Sequence, residues 1–442
     1  MSRLVGVLAS LVIGVWLLLP ASGHATDVER IVTPAGINVW YVREPSIPII
    51  ALSLGFRGGS ALDPAGKEGL SNLAMSLLDE GAGDMDDLAF QEAIVDRAIQ
   101  LGFRAGLDML SVSLRTLSQN RDDAFSLLGL ALRAPRFDGP AVARVKDQIQ
   151  SVLASDEKDP NSIVSRSWFE AMFGTHPYSR PRNGTPDGVR AIGSYDLHNL
   201  VRTRLTRGNV IVGASGDVPA AEMARLVDLA LADLPAEASP VIVPEVVFPT
   251  QGQLIVREME IPQSIASFGL PGLKRHDPDF YAAYVMNYIL GGSGFSSRLT
   301  ESVREKRGLA YSVYSYLYPL QHAGLFVGGV ATRNDAISES LELIRAELTR
   351  MAEEGVSERE LANAKLGMTG AFPLRFDSAG AVADMLVGMQ YEDLGIDYID
   401  RRNSYIEAVT TTDVRLAARR LLDVDQLLVV IVGSPEGLAD DD

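Results

Sequence analysis

The chain has 442 residues, with 40 Lys and Arg against 57 Asp and Glu, a formal charge of −17 and no cysteine. The acidic excess argues against nucleic acid and anionic lipid as partners, and the missing thiols exclude disulfide staples, thiolate metal ligands and a cysteine nucleophile. The acids are scattered rather than blocked, so they read as solvated faces and not as an acidic recognition patch.

Met1-Ser-Arg3, the apolar run Leu4 to Leu19 and the small residues ending at Ala25 have the three-part organisation of a secretory signal peptide, cleaved after Ala25. An uncleaved anchor is the competing reading, since the run is long for a signal and short for a span. No later stretch could cross a bilayer, so cleavage implies a periplasmic or otherwise exported protein without stable membrane insertion. The rest of the chain is too long for one core at about 100–200 residues per domain.

Ile31 to Val42 and Ile49 to Phe56 read as strands, the second punctuated by Gly58-Gly59-Ser60. Gly69 to Gly81 then reads as a helix. Leu70, Leu73, Ala74, Leu77 and Leu78 form its apolar stripe, and Asn72, Met75, Ser76 and Asp79 gather on the opposite, solvent-facing side. In a zinc hydrolase that side could carry His-x-x-Glu-His, because positions three and four apart converge on one ion. A carboxamide, a thioether and a neutral hydroxyl are poor substitutes, and none can act as a general base. Helices follow near Asp87 to Leu101 and Arg121 to Arg133, with a strand at Met109 to Leu117 between them.

Asn209 to Asp217 reads as a buried strand ending in a turn, and Gln426 to Ser434 repeats it at the far end. The helix ending at Gly81 has a counterpart at Pro278 to Leu290, closed by Gly291-Gly292, at an offset of about 210 residues, which suggests duplication. Between the repeats, Pro235, Pro240, Pro244 and Pro249 forbid regular helix and favour extended chain. The reading is therefore α+β: a domain over residues 26–234, a Pro-rich linker over 235–253 and a domain over 254–442. Each half should be an α/β sandwich of about 200 residues with its own sheet and core.

Four segments together resemble the insulinase and pitrilysin metallopeptidases, especially the subunits of mitochondrial processing peptidase and their bacterial periplasmic relatives. They are Arg57 to Gly81, Phe173-Gly-Thr-His-Pro-Tyr178 with Gly184-Thr185, Gly291 to Leu299 with Arg304-Glu-Lys-Arg-Gly-Leu-Ala-Tyr311, and the terminal strands of each half. The resemblance implies that the two halves form one side of a clamshell chamber. It also implies that the zinc-binding His, His and catalytic Glu of active members fall at Asn72, Met75 and Ser76. The further Glu ligand falls near Val145 to Ser155, where Gln148, Gln150 and Ser151 stand and Asp147 is the only acid. No ligand set remains, and no zinc is expected in this chain. Of its later histidines, His176, His198, His276 and His322, none pairs with another at helical spacing.

Arg304 and Tyr311 match an Arg and Tyr pair with which the similar peptidases contact substrate beside the zinc. A guanidinium and a phenol can both donate to a peptide carbonyl or to the oxyanion that develops on it. The plain alternative pairs Arg304 with a nearby acid such as Glu301 and packs Tyr311 with Val313 and Leu317 on the strand Tyr311 to Tyr318. His176-Pro-Tyr-Ser-Arg-Pro181 reads as a rigid turn, and Gly291 to Gly294 lacks the Lys and Ser or Thr of a phosphate loop. The leading expectation is a non-catalytic subunit of an exported zinc peptidase, binding peptide substrate beside a homologous subunit that holds the zinc. A peptide-binding or scaffold protein of the same fold, with no part in proteolysis, is the alternative. Ile49 to Phe56 is the candidate edge strand for taking up extended peptide.

Overall fold

The computed structural model describes residues 27–237, 240, 242–249 and 252–438; residues 1–25, read above as a signal peptide, lie outside them. Helices and strands are mixed throughout. Strands β1 (Glu29–Val32), β2 (Asn38–Arg43), β3 (Ile49–Arg57), β4 (Gln100–Ala105), β5 (Met109–Leu117) and β6 (Val210–Gly216) form one sheet in the order β1-β2-β6-β3-β5-β4. Strands β7 (Leu254–Glu258), β8 (Gln263–Pro271), β9 (Ala310–Pro319), β10 (Gly324–Arg333) and β11 (Leu428–Gly433) form a second, in the order β7-β11-β8-β10-β9. In each sheet one parallel pair (β2 with β6, β7 with β11) is followed by three antiparallel pairings, so the second sheet repeats the first without β1.

The strand sequences explain how both faces of these sheets are covered. In β3 the large residues Ile50, Leu52, Leu54 and Phe56 alternate with Ala51, Ser53 and Gly55, and all seven are buried. The large side chains enter a core with the Leu70–Met75 and Arg121–Arg133 helices, at about 1.5–3 kcal/mol for each fully buried large apolar group. The small face receives a helix from the other half of the chain, Ala379–Tyr391, whose Val382, Leu386 and Met389 pack on Trp40 and Val42. Approach is close: a Cβ on Gly213 would lie 2.4 Å from the Ala383 carbonyl. The Ser53 hydroxyl donates to Asp384, and Gln390 Nε2 donates to the Val212 carbonyl at 2.8 Å.

The exchange runs in both directions. The helix Pro160–Phe173 lays Val164, Trp168 and Met172 on Leu428, Val430, Leu325 and Val327 of the second sheet, with Gly269 leaving room for the Trp168 ring. Described parts of residues 235–253 join the same cluster through Val243, Val246 and Phe248, and Glu245 binds Lys274 and His322. Among the described helices none is long and apolar enough to cross a membrane.

Several sequence boundaries shift. Ile31 to Val42 divides into β1 and β2 around a turn at Gly36, whose φ is 81°. The helix near Asp87 stops at Asp96, and Gln100–Ala105 is a strand instead. The largest correction concerns β3, which lies between β6 and β5 and has no free edge. Its uninterrupted burial is the mark of an interior strand; the outer positions belong to β1, β4, β7 and β9.

Candidate functional site

The degenerate zinc positions sit on a short helix anchored at both ends. Leu70–Met75 begins after Gly69, which has φ 96° and packs its backbone against Gly184; a Cβ on Gly184 would lie 2.4 Å from the Glu68 carbonyl. The first turn is held by Asp63, which accepts from the Ser71 hydroxyl at 2.5 Å and from the Ser71 N–H at 3.1 Å. Arg204 closes the cluster with Nη1 at 2.9 Å from Ser71 Oγ and 3.3 Å from Asp63 Oδ1, and Nη2 at 2.7 Å from the Leu62 carbonyl. Burial pushes the Asp63 carboxyl up and the Arg204 guanidinium down from their ordinary pKa values, so desolvation outweighs their mutual attraction.

The expected helix through Gly81 ends at Met75, and a turn carries the chain onward. Met75 is also not on a solvent face. It is 1% exposed and packed in the core that contains Leu73, Leu77 and Leu78, while Asn72 and Ser76 are half-buried. The three positions thus do not share one open surface. On the following helix, Gly139–Asp156, Gln150 donates to the Pro186 carbonyl at 2.9 Å, Ser151 donates back to Asp147, and Gln148 is exposed.

Arg304 and Tyr311 are brought together, by a device that the strand's alternation hid. The register between β9 and β10 pairs Ala331 with Ser312 and Thr332 with Ala310, skipping Tyr311. This bulge puts Ala310 on the buried side with Val313 and releases Tyr311 to 82% exposure, so the expected packing with Val313 and Leu317 does not occur. Arg304, in the turn Thr300–Glu305, faces the Phe295 ring at 4.7 Å and the Tyr311 ring at 5.7 Å. Its neighbours are engaged: Lys306 pairs with Glu301 at 2.9 Å and Arg307 with Glu339 at 2.8 Å. Arg304 has only the adjacent Glu305, at 3.6 Å, and Tyr311 Oη has no hydrogen-bond partner among the described residues.

These features can be set beside known proteins. The model for the Peptidase M16 inactive domain matches residues 191–368, a span that includes Arg304 and Tyr311. The second half of the chain is thus similar to the inactive domain of M16 peptidases. A non-peptidase homolog, YmxG of Helicobacter pylori, is 25% identical over 97% of this chain and 98% of its own length. An uncharacterized zinc protease of Streptomyces coelicolor is 28% identical over 91% of this chain and 89% of its own. The crystal structure of a peptidase M16 inactive domain from Pseudomonas fluorescens superposes with a TM-score of 0.88 at 27% identity, covering 94% of this chain and 99% of that one.

The chain is peptidase-like, similar to a non-peptidase homolog and to the M16 inactive domain. The zinc of active M16 members does not fit its residues: the motif helix offers a carboxamide, a core thioether and a hydroxyl. Among the described residues no three His, Cys, Asp or Glu side chains are grouped to hold a metal. His176 is occupied structurally, its Nδ1 accepting from the Tyr178 N–H at 3.1 Å and its Nε2 2.9 Å from the Pro244 carbonyl, which fixes the tautomer with the proton on Nε2. Sequence reading missed Phe295, the second ring against Arg304; an aromatic residue inside a glycine-rich stretch was the available signal.

Proposed function

We propose that this chain is a non-catalytic subunit of an exported M16 peptidase complex, pairing with a homologous subunit that retains His-x-x-Glu-His and holds zinc. Its two halves would form one side of the chamber, and its Arg304 and Tyr311 would bind the substrate's backbone beside the partner's metal. The observation that carries this reading is the cluster of exposed Phe295 and Tyr311 about the half-buried Arg304. A guanidinium whose one carboxylate is the adjacent Glu305 at 3.6 Å, and a phenol without an acceptor among the described residues, keep donor capacity for a ligand. Held against rings, the guanidinium is restricted in orientation before substrate arrives. Both groups can donate to a scissile carbonyl, and the donation strengthens as negative charge develops and water is excluded. Activation of water would belong to the partner.

The test is to purify the chain alone and together with whatever M16 relative associates with it, then measure bound zinc and peptide cleavage. The isolated chain is expected to contain no stoichiometric zinc and to cleave nothing, and the pair to do both. Zinc and cleavage in the isolated chain would overturn the proposal. A chain that neither associates with such a relative nor binds peptide would be a scaffold.

A further inference from the structure

Beyond Arg304 and Tyr311, the outward face of β9 continues through Ser312, Tyr314, Tyr316 and Tyr318 toward a cavity of about 500 Å³. The tyrosine rings follow one another at 6.2 and 6.3 Å between centroids. A smaller cavity of about 190 Å³ lies along Ser312, Tyr314 and Tyr316 and shares Asn161, Ser165, Phe169 and Tyr316 with the larger one. The two are therefore contiguous, one wall being the face of β9 and the other the helix Pro160–Phe173 lent by the first half. From Tyr311 to Tyr318 the track runs about 23 Å at roughly 3.3 Å per strand residue, the reach of about seven extended residues.

The far end of the track is cationic. Arg166, Arg180 and Arg182 line the larger cavity, against one carboxylate, Asp156, which already accepts from the Ser162 hydroxyl at 3.1 Å. Arg180 spends Nη1 on the Asp63 carbonyl at 2.7 Å. Arg166 and Arg182 make no hydrogen bond or ion pair among the described residues, in contrast to Arg180 beside them. Arg182 and Tyr318 line the same cavity; burial pushes the Tyr318 phenol up, the Arg182 charge opposes this and the Asp108 charge adds to it, Asp108 itself accepting from the Tyr178 hydroxyl at 2.5 Å. In a protein with 57 acids, two guanidiniums without carboxylates beside an aromatic wall are a site for an anion that comes from outside.

We propose that this cavity anchors a carboxylate of a bound peptide, with Arg166 and Arg182 as its ligands, while the rest of the peptide lies along the tyrosine face of β9 toward Arg304 and Tyr311. The inference rests on the peptide-binding reading of those two residues. Elongation of the track and its aromatic wall select an extended peptide over a small free anion. The carboxylate can be a C-terminus or an acidic side chain about seven residues from the contact at Tyr311.

The probe is one fluorescein-labelled octapeptide of apolar and aromatic residues, made as the free acid, as the C-terminal amide, and as the amide with Glu in the last position. Binding to the full chain, with any co-purifying subunit, is followed by anisotropy. At least one carboxylate-bearing form is expected to bind about tenfold more tightly than the neutral amide, as a charge-assisted contact predicts. Which form gains tells terminus from side chain. Arg166→Gln/Arg182→Gln should bring all three forms to the affinity of the neutral amide, and Arg182→Gln alone, at an exposed position, should reduce the preference. Equal binding of all three forms to the native chain, or a preference that survives in the double variant, overturns the anchor. Arg304→Ala/Tyr311→Phe should weaken all three forms alike and leave the preference intact. If the native chain binds none of them, the reading of Arg304 and Tyr311 falls together with the anchor.

Discussion

The segments around Met75 and Arg304 are built oppositely. Around Leu70–Met75 every strong group is spent inward: Met75 is core, Ser71 and Asp63 cap the helix, and Arg204 is buried on both. Around Thr300–Glu305 the charges at Glu301, Lys306 and Arg307 are neutralised locally, Arg304 has only the longer contact to Glu305 at 3.6 Å, and Phe295 and Tyr311 stay exposed beside it. The first region is ordinary packing. A region with accessible donors is the one the proposed function uses.

If the first region is now core, Met75→Glu should be the most damaging change, since it buries an unpaired carboxylate; a loss of at least about 3 kcal/mol is expected by chemical denaturation. Full replacement by Asn72→His, Met75→Glu and Ser76→His should then fail to give tight zinc binding by calorimetry, because Gln150 and Ser151 offer no acid on the next helix. Arg204→Met, which strands Asp63 in the interior, should cost about 3–5 kcal/mol in urea unfolding. A smaller effect is expected beneath the second region. Burial opposes ionisation of Glu360, but Arg298 at 2.8 Å and the Ser357 cap outweigh it and hold its pKa at about 2. Because that folded value lies below the unfolded one, this stabilisation is complete above pH 4.5 and is lost as pH falls toward 2. Discounted for partial exposure it is worth about 2 kcal/mol, and Glu360→Gln should flatten that part of the stability profile. Smallest of all, Arg304→Ala and Tyr311→Phe should change stability by no more than about 0.5 kcal/mol, as fits groups outside the core.

Much of the fold was legible because burial imposes periodicity: β5, β6 and the Arg121–Arg133 helix follow directly from their apolar spacing. Three features were not. The bulge at Tyr311 depends on pairing with β10, and local alternation therefore placed the ring on the wrong side. The interior place of β3 depends on which strands join it. The exchanged helices Pro160–Phe173 and Ala379–Tyr391 carry apolar residues that any helix of their own half could bury, so nothing local reveals whose sheet they cover. Spacing alone favoured ordinary packing for Arg304 and Tyr311, and the family resemblance singled them out; Phe295 and the arginine-lined cavity at the end of β9 needed the three-dimensional arrangement.

The central claim is that Arg304 and Tyr311 act on substrate and not on their own fold. The direct measurement is steady-state peptide cleavage by the assembled complex carrying Arg304→Ala/Tyr311→Phe, with assembly checked by co-elution. Loss of an oxyanion-type donor predicts a fall in kcat of about 10²-fold or more with assembly unchanged. Unchanged kcat in an intact complex would contradict the account and return both residues to the surface of a scaffold.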